Sequence, residues 1–208
     1  MNHALRSMIA ICALCASGCA LLGKADPVVP RYFTPEYESD ARAAAAKAPA
    51  ELRLRLGRVS AWSHLRERLV VRSSAQELSY AEDRRWTERP EVYLKAALER
   101  ALFEERGVQQ ALSGPAPTLE VELAAFEELP QQKVRLRALL LLHDDRNGRL
   151  EETITVDEPV TAAADKEVAV VDAFSRALRT GVNQISDRVL ARLAALPAQA
   201  PAGCPAPR

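Results

Sequence analysis

The sequence predicts an α+β fold of two layers: a mostly antiparallel sheet with two helices packed on one face, in the order β-β-β-α-β-β-β-α. Three observations carry this. Apolar residues alternate with charged ones at 52–56, 119–123 and 134–138, the period of a half-buried strand. Two longer stretches place apolar residues at helical spacing instead. The elements also fall into two like halves, three strands and then a helix, so both helices can cover one face of a single sheet.

Taken from the N-terminus, residues 1–18 read as a lipoprotein signal peptide. One cation, Arg6, precedes an apolar run from Met8 to Ala16, and the small pair Ser17-Gly18 stands directly before Cys19. That arrangement assigns Cys19 as the lipidated N-terminus of the mature chain, anchored through diacylglycerol on its sulfur. Ala16 stands where leucine is usual. The run is far shorter than the roughly 18 residues of a bilayer span. Ala20 is not the aspartate that commonly retains lipoproteins at the inner membrane, which favours the outer membrane, periplasmic face.

Residues 19–50 read as a tether, stiffened by prolines and poor in material to bury. Tyr32 and Phe33 are the exception and can tack it to the domain. The domain is expected over 51–196. Its first strand starts with Leu52, Leu54 and Leu56 alternating with Arg53 and Arg55. Arg68–Arg72 reads as the second strand and Glu77–Tyr80 as the third. Thr87 or Glu88 opens a helix with Pro90 in its first turn, where a missing N–H costs nothing. The stripe Leu94, Ala97, Leu98, Ala101 and Leu102 carries it to Arg106, and Gly107 ends it.

Strands around 119–123, 134–140 and 152–157 follow, the last two joined by the turn residues Asp144–Gly148. Pairing of the first two sets Glu120 and Glu122 against Arg135 and Arg137 on the solvent side. A stripe from Val168 through Phe174, Leu178 and Ile185 to Leu193 predicts a helix over about 167–194. Residues 197–208, rich in proline and alanine, read as a disordered tail.

Composition limits the function. The chain has 208 residues, 48% apolar and 27% charged, enough for one domain with a core. Its 28 basic and 28 acidic side chains balance, and loss of Arg6 with the leader leaves the mature chain at net −1. Nucleic-acid binders show a basic excess that is missing here. Cys12 and Cys15 leave with the leader, and Cys204 lies in the tail, so no internal disulfide is expected. There is no H-x-x-x-H, no G-x-S-x-G and no G-x-G-x-x-G. The stretch His143–Gly148 fails as a calcium loop, because Ile154 falls where the twelfth-position carboxylate belongs. No metal, cofactor or catalytic residue is expected, and the protein is read as no enzyme. Arg85, Trp86 and Arg89 form a candidate partner interface, arginine and tryptophan being frequent interface anchors; the alternative for Trp86 is a core tryptophan at the start of the helix.

The stretches Leu65–Arg72 and Glu77–Pro90, with Tyr80-Ala81-Glu82, Arg85-Trp86 and Pro90 most specific, resemble the ABC-type transport auxiliary lipoproteins (PqiC-like). Cys19, Arg31–Thr34, Leu119–Glu127 and Ala173–Leu178 add to the likeness. The resemblance implies an outer-membrane lipoprotein that works with an ABC transporter and an MCE-domain periplasmic protein to move lipid or another apolar solute between membranes, and it carries no catalytic residues. The expected role is a non-enzymatic accessory subunit, membrane-anchored through Cys19, docking onto the MCE partner with room for a homo-oligomer. The competing reading is an outer-membrane scaffold binding peptidoglycan or an envelope protein.

Overall fold

Strict alternation in the second half of the chain builds the sheet. In the computed structural model, which describes residues 27–37, 52–144 and 148–195, β6 (Thr118–Leu129), β7 (Lys133–Asp144) and β8 (Gly148–Pro159) form an antiparallel meander of three twelve-residue strands. On β7 the even positions Val134, Leu136, Ala138, Leu140 and Leu142 are buried, and α2 (Lys166–Ala195) lies over β7 and β8. The predicted helical stripe is the buried face of α2: Phe174, Leu178, Val182, Ile185 and Val189 are all in the core. Gly181 permits the close approach, since a Cβ there would stand 2.9 Å from Leu136 Cδ2. Gly181→Val is expected to lower stability by about 1–3 kcal/mol through overpacking, read as a fall in the thermal midpoint.

The first half of the chain is built along the other edge of β6. β2 (Arg53–Ala61) pairs parallel with Thr118–Leu123, and β3 (Arg68–Arg72) pairs parallel with Glu127 and Glu128. The two are one strand line broken at 62–67, with the Trp62 amide donating to Leu123 O across the break at 3.0 Å. β4 (Leu78–Trp86) returns antiparallel to β3 and continues well past the expected end at Tyr80. A two-residue strand, β5 (Gln109–Gln110), flanks the start of β2. The eight strands make one mostly antiparallel open sheet, with both helices on one face as the sequence predicts.

The first helix differs from expectation in its second half. α1 covers Pro90–Glu99, and Arg100–Glu105 is wound as a π-helix before Gly107, at φ +71, ends it. Pro90 stands at N1, but neither Thr87 nor Glu88 caps the helix. The Tyr93 hydroxyl instead accepts the Glu88 amide at 2.7 Å. The π segment precedes Arg106, which is 2% exposed and donates to Asn183 and Asp187 of α2, both at 3.1 Å.

Residues 31–37, expected in the tether, belong to the domain. β1 (Arg31–Phe33) pairs parallel with the end of β4. The chain then straps the helical layer: the Glu36 amide donates to Ser175 Oγ and the Tyr37 hydroxyl to Glu105 Oε2. Burial, with the nearby Glu105 carboxylate, pushes the Tyr37 phenol up to about 12. At the start of the strap Arg31 bridges Asp165 at 2.9 Å and Glu167 at 3.1 Å. Asp165 also caps α2 by accepting the Glu167 and Val168 amides, and Arg31 with those bonds holds its carboxyl down to about 2.

Trp86 is not a surface residue. It is 1% exposed, the last residue of β4, and its ring lies 5.4 Å from Phe126 and 5.0 Å from Phe174, centroid to centroid. The expected charge pairs are corrected too. Glu120 and Glu122 stand opposite Leu141 and Leu139, while Arg135 and Arg137 stand opposite Glu127 and Ala125. Both strands run on to a tight turn at 130–132, where Gln131 and Gln132 have φ of 65 and 54, and that turn fixes the register. The leader, Cys19, tether residues 38–50, turn residues 145–147 and the tail at 197–208 lie outside the described residues.

Candidate partner-binding surface

The two helices cover one face of the sheet; among the described residues, no helix lies on the other. That open face carries the odd positions of β7, namely Arg135, Arg137, Leu139, Leu141 and His143, all half-buried. A row of alternating charge crosses it near the 130–132 turn. Arg72 grips Glu127 through two bonds of 2.6 and 3.0 Å, Glu127 stands opposite Arg135, and Arg135 grips Asp157 through two bonds of 2.6 Å. Glu127 is 1% exposed, so this member of the row is structural. The hydrogen bonds from Arg135 hold the Asp157 carboxyl below its usual value, against the opposing effect of burial. This contribution is present above the ordinary carboxylate range and lost as pH falls through the lowered value.

Beside the charge row stand two partly exposed aromatic rings, each paired with a guanidinium. Trp62, 40% exposed, lies at the break between β2 and β3, with Arg137 Cζ 5.5 Å from its ring centroid. Tyr80 on β4, 39% exposed, has Arg68 Cζ at 5.1 Å. His64 links them: its ring meets Trp62 edge-on at 6.1 Å, and its carbonyl accepts the Tyr80 hydroxyl at 3.3 Å. Burial pushes the His64 imidazole below its ordinary value, which keeps it neutral at pH 7. A bulge positions the group. Ala124 is the extra residue where the β6–β7 register shifts, so Ala124 and Ala125 are both 1% exposed and Arg137 faces only an alanine methyl across the ladder. Further along the face, a concavity of about 280 Å³ runs between Arg58, Glu120, Glu122, Leu139, Leu141 and Glu151.

Of the candidate interface residues, only Arg89 is freely exposed, and it is paired with Glu91 at 2.9 Å. Arg85 is half-buried and donates to the Ala81 and Arg84 carbonyls, although it stands opposite Arg68 at the edge of the aromatic group. Trp86 points into the core. Sequence reasoning passed over Trp62, whose signal was an exposed-type tryptophan immediately after the end of a strand. Among the described residues no three His, Cys, Asp or Glu side chains are grouped to hold a metal ion. The surface therefore offers two part-exposed rings, each with a guanidinium beside it.

Known proteins resemble the chain in fold and in sequence profile. Protein XCC0632 from Xanthomonas campestris is 21% identical, with a TM-score of 0.64 over 77% of this chain and 95% of its own. A second solved structure, of an uncharacterized protein, is 14% identical, with a TM-score of 0.63 over 77% of this chain and 99% of its own. At these identities they show a shared fold. No curated protein matches in sequence. The profile of one family matches residues 37–186, from the strap through most of α2, and that family is an auxiliary rather than a catalytic one. The chain belongs to the ABC-type transport auxiliary lipoprotein components, accessory lipoproteins of the cell envelope associated with a transport system.

Proposed function

We propose that this chain is a non-enzymatic accessory subunit of an ABC/MCE-type intermembrane transport system for lipid or another apolar solute, anchored by Cys19 to the periplasmic face of the outer membrane. It docks onto the MCE-domain partner through the open sheet face. The observation that carries this is the Trp62–Arg137 and Tyr80–Arg68 group: part-exposed aromatics beside cations on a sheet face that no helix among the described residues covers. Such residues dominate binding energy when a partner excludes water from them, at about 2 kcal/mol or more for each anchor.

The test is affinity for the purified MCE-domain partner, with the full chain in detergent. Trp62→Ala with Arg137→Ala is expected to weaken binding by about 30-fold, the equivalent of about 2 kcal/mol. The thermal midpoint of the variant serves as the folding control. Unchanged affinity in a folded variant overturns the assignment of this face. One phospholipid per chain in native mass spectrometry, with no partner binding, overturns the accessory role.

A further inference from the structure

The sheet has two ends, and they differ in what they expose. One end holds the 130–132 turn, the β3–β4 turn, the end of β8 and the start of α2. The other, a β6 length of about 40 Å away, holds the start of β2 and the loop around Leu112. β1 runs parallel to β4, which itself starts at the 130–132 end, so the chain preceding Arg31 approaches from that end. There Val28 is 56% exposed, Val29 79%, Tyr32 65% and, at the first turn of α2, Val168 41%. Lys133, just past the 130–132 turn, and Lys166, the first residue of α2, lie at the same end, as do the Arg31 partners Asp165 and Glu167. A cleft of about 320 Å³ opens at the same end, its lining mixed: Val71, Leu129, Val160 and Val170 stand with polar groups that include Glu128 and Lys166.

The length of chain beyond the domain selects the occupant of this surface. Only seven residues, 20–26, separate Cys19 from Pro27, a reach of less than about 30 Å even when fully extended. Residues 31–37 of the apparent tether are taken up by the strap.

We infer that this end of the domain rests on the bilayer that holds the anchor, with Val28, Val29, Tyr32 and Val168 in the interface and the two lysines among anionic headgroups. The inference rests on acylation of Cys19. Exposed valines and a tyrosine, with two lysines at the same end, match the interfacial zone, where apolar side chains enter the headgroup boundary and basic residues meet anionic lipid. The opposite end and the Trp62 face then remain clear of the membrane.

The experiment uses the full acylated chain in vesicles of phosphatidylethanolamine and phosphatidylglycerol, in a Cys204→Ser background. A fluorophore is placed at Val168→Cys or at Leu112→Cys, and nitroxide lipids report depth. Quenching at 168 is expected to exceed that at 112 several-fold. Val28→Asp with Val29→Asp is expected to reduce quenching at 168 by at least half while the chain still floats with the vesicles. Equal quenching at 168 and 112 in floating protein overturns the orientation and leaves the anchor intact. Undiminished quenching in the aspartate variant overturns the role given to the valines. A wild-type chain that fails to float, as Cys19→Ala should, overturns the anchor and the orientation with it.

Discussion

Replacing Trp86 with alanine is expected to lower the free energy of unfolding by about 3–5 kcal/mol, the range for truncating a large buried aromatic. Trp86 joins the three parts of the core: β4 carries it, Phe126 brings β6 to it, and Phe174 brings α2, with a further edge contact to Tyr93 of α1 at 6.4 Å. The Phe126 and Phe174 rings also touch, with centroids 4.5 Å apart. Truncation therefore opens a void where sheet and both helices meet, and neighbours held on three elements cannot all relax into it. Urea unfolding followed by far-UV circular dichroism measures the loss. Trp62→Ala, at the surface, is expected to cost far less, and equal losses at the two sites would contradict the assignment of one to the core and the other to the surface.

Glu127→Ala is expected to cost about 3 kcal/mol, the low end for breaking a buried ion pair because Arg72 keeps some contact with water. The carboxylate is enclosed, takes two bonds from Arg72 and stands opposite Arg135. Its removal leaves the Arg72 guanidinium with only the Ser74 and Ala75 carbonyls. Arg72→Met combined with Glu127→Leu is expected to recover most of the loss, since neither charge is then left without its partner. A double variant no more stable than Glu127→Ala would show that the pair does more than satisfy itself. The same denaturant titration reads both.

The alternating strands were legible because one face of each is buried, so 134–142 announces its two faces in its sequence. Register was not legible. The Ala124 bulge and the glycine-free 130–132 turn are set by how far the strands run, and that decides whether Glu122 meets an arginine or Leu139. The candidate site failed in part for a related reason. Neighbours along a strand point to opposite faces, so arginines flanking Trp86 in sequence say nothing about where its ring lies. Trp62 became visible only once β2 and β3 shared an edge of β6, a contact across some sixty residues of chain. β1 has three residues and no alternation long enough to read; its place follows from Arg31 and from the edge that β4 offers.

The parallel seating of β1 has a mechanical consequence. A pull on the chain ahead of Pro27 acts along the axis of β1, because the strand points away from the end at which the chain arrives. The β1–β4 hydrogen bonds and the Arg31 bridges to Asp165 and Glu167 then share the load in shear, where the opposite strand direction would peel them apart one at a time. Force entering ahead of Pro27 passes through Arg31 to α2, a rigid rod of 30 residues, without first unravelling the strap.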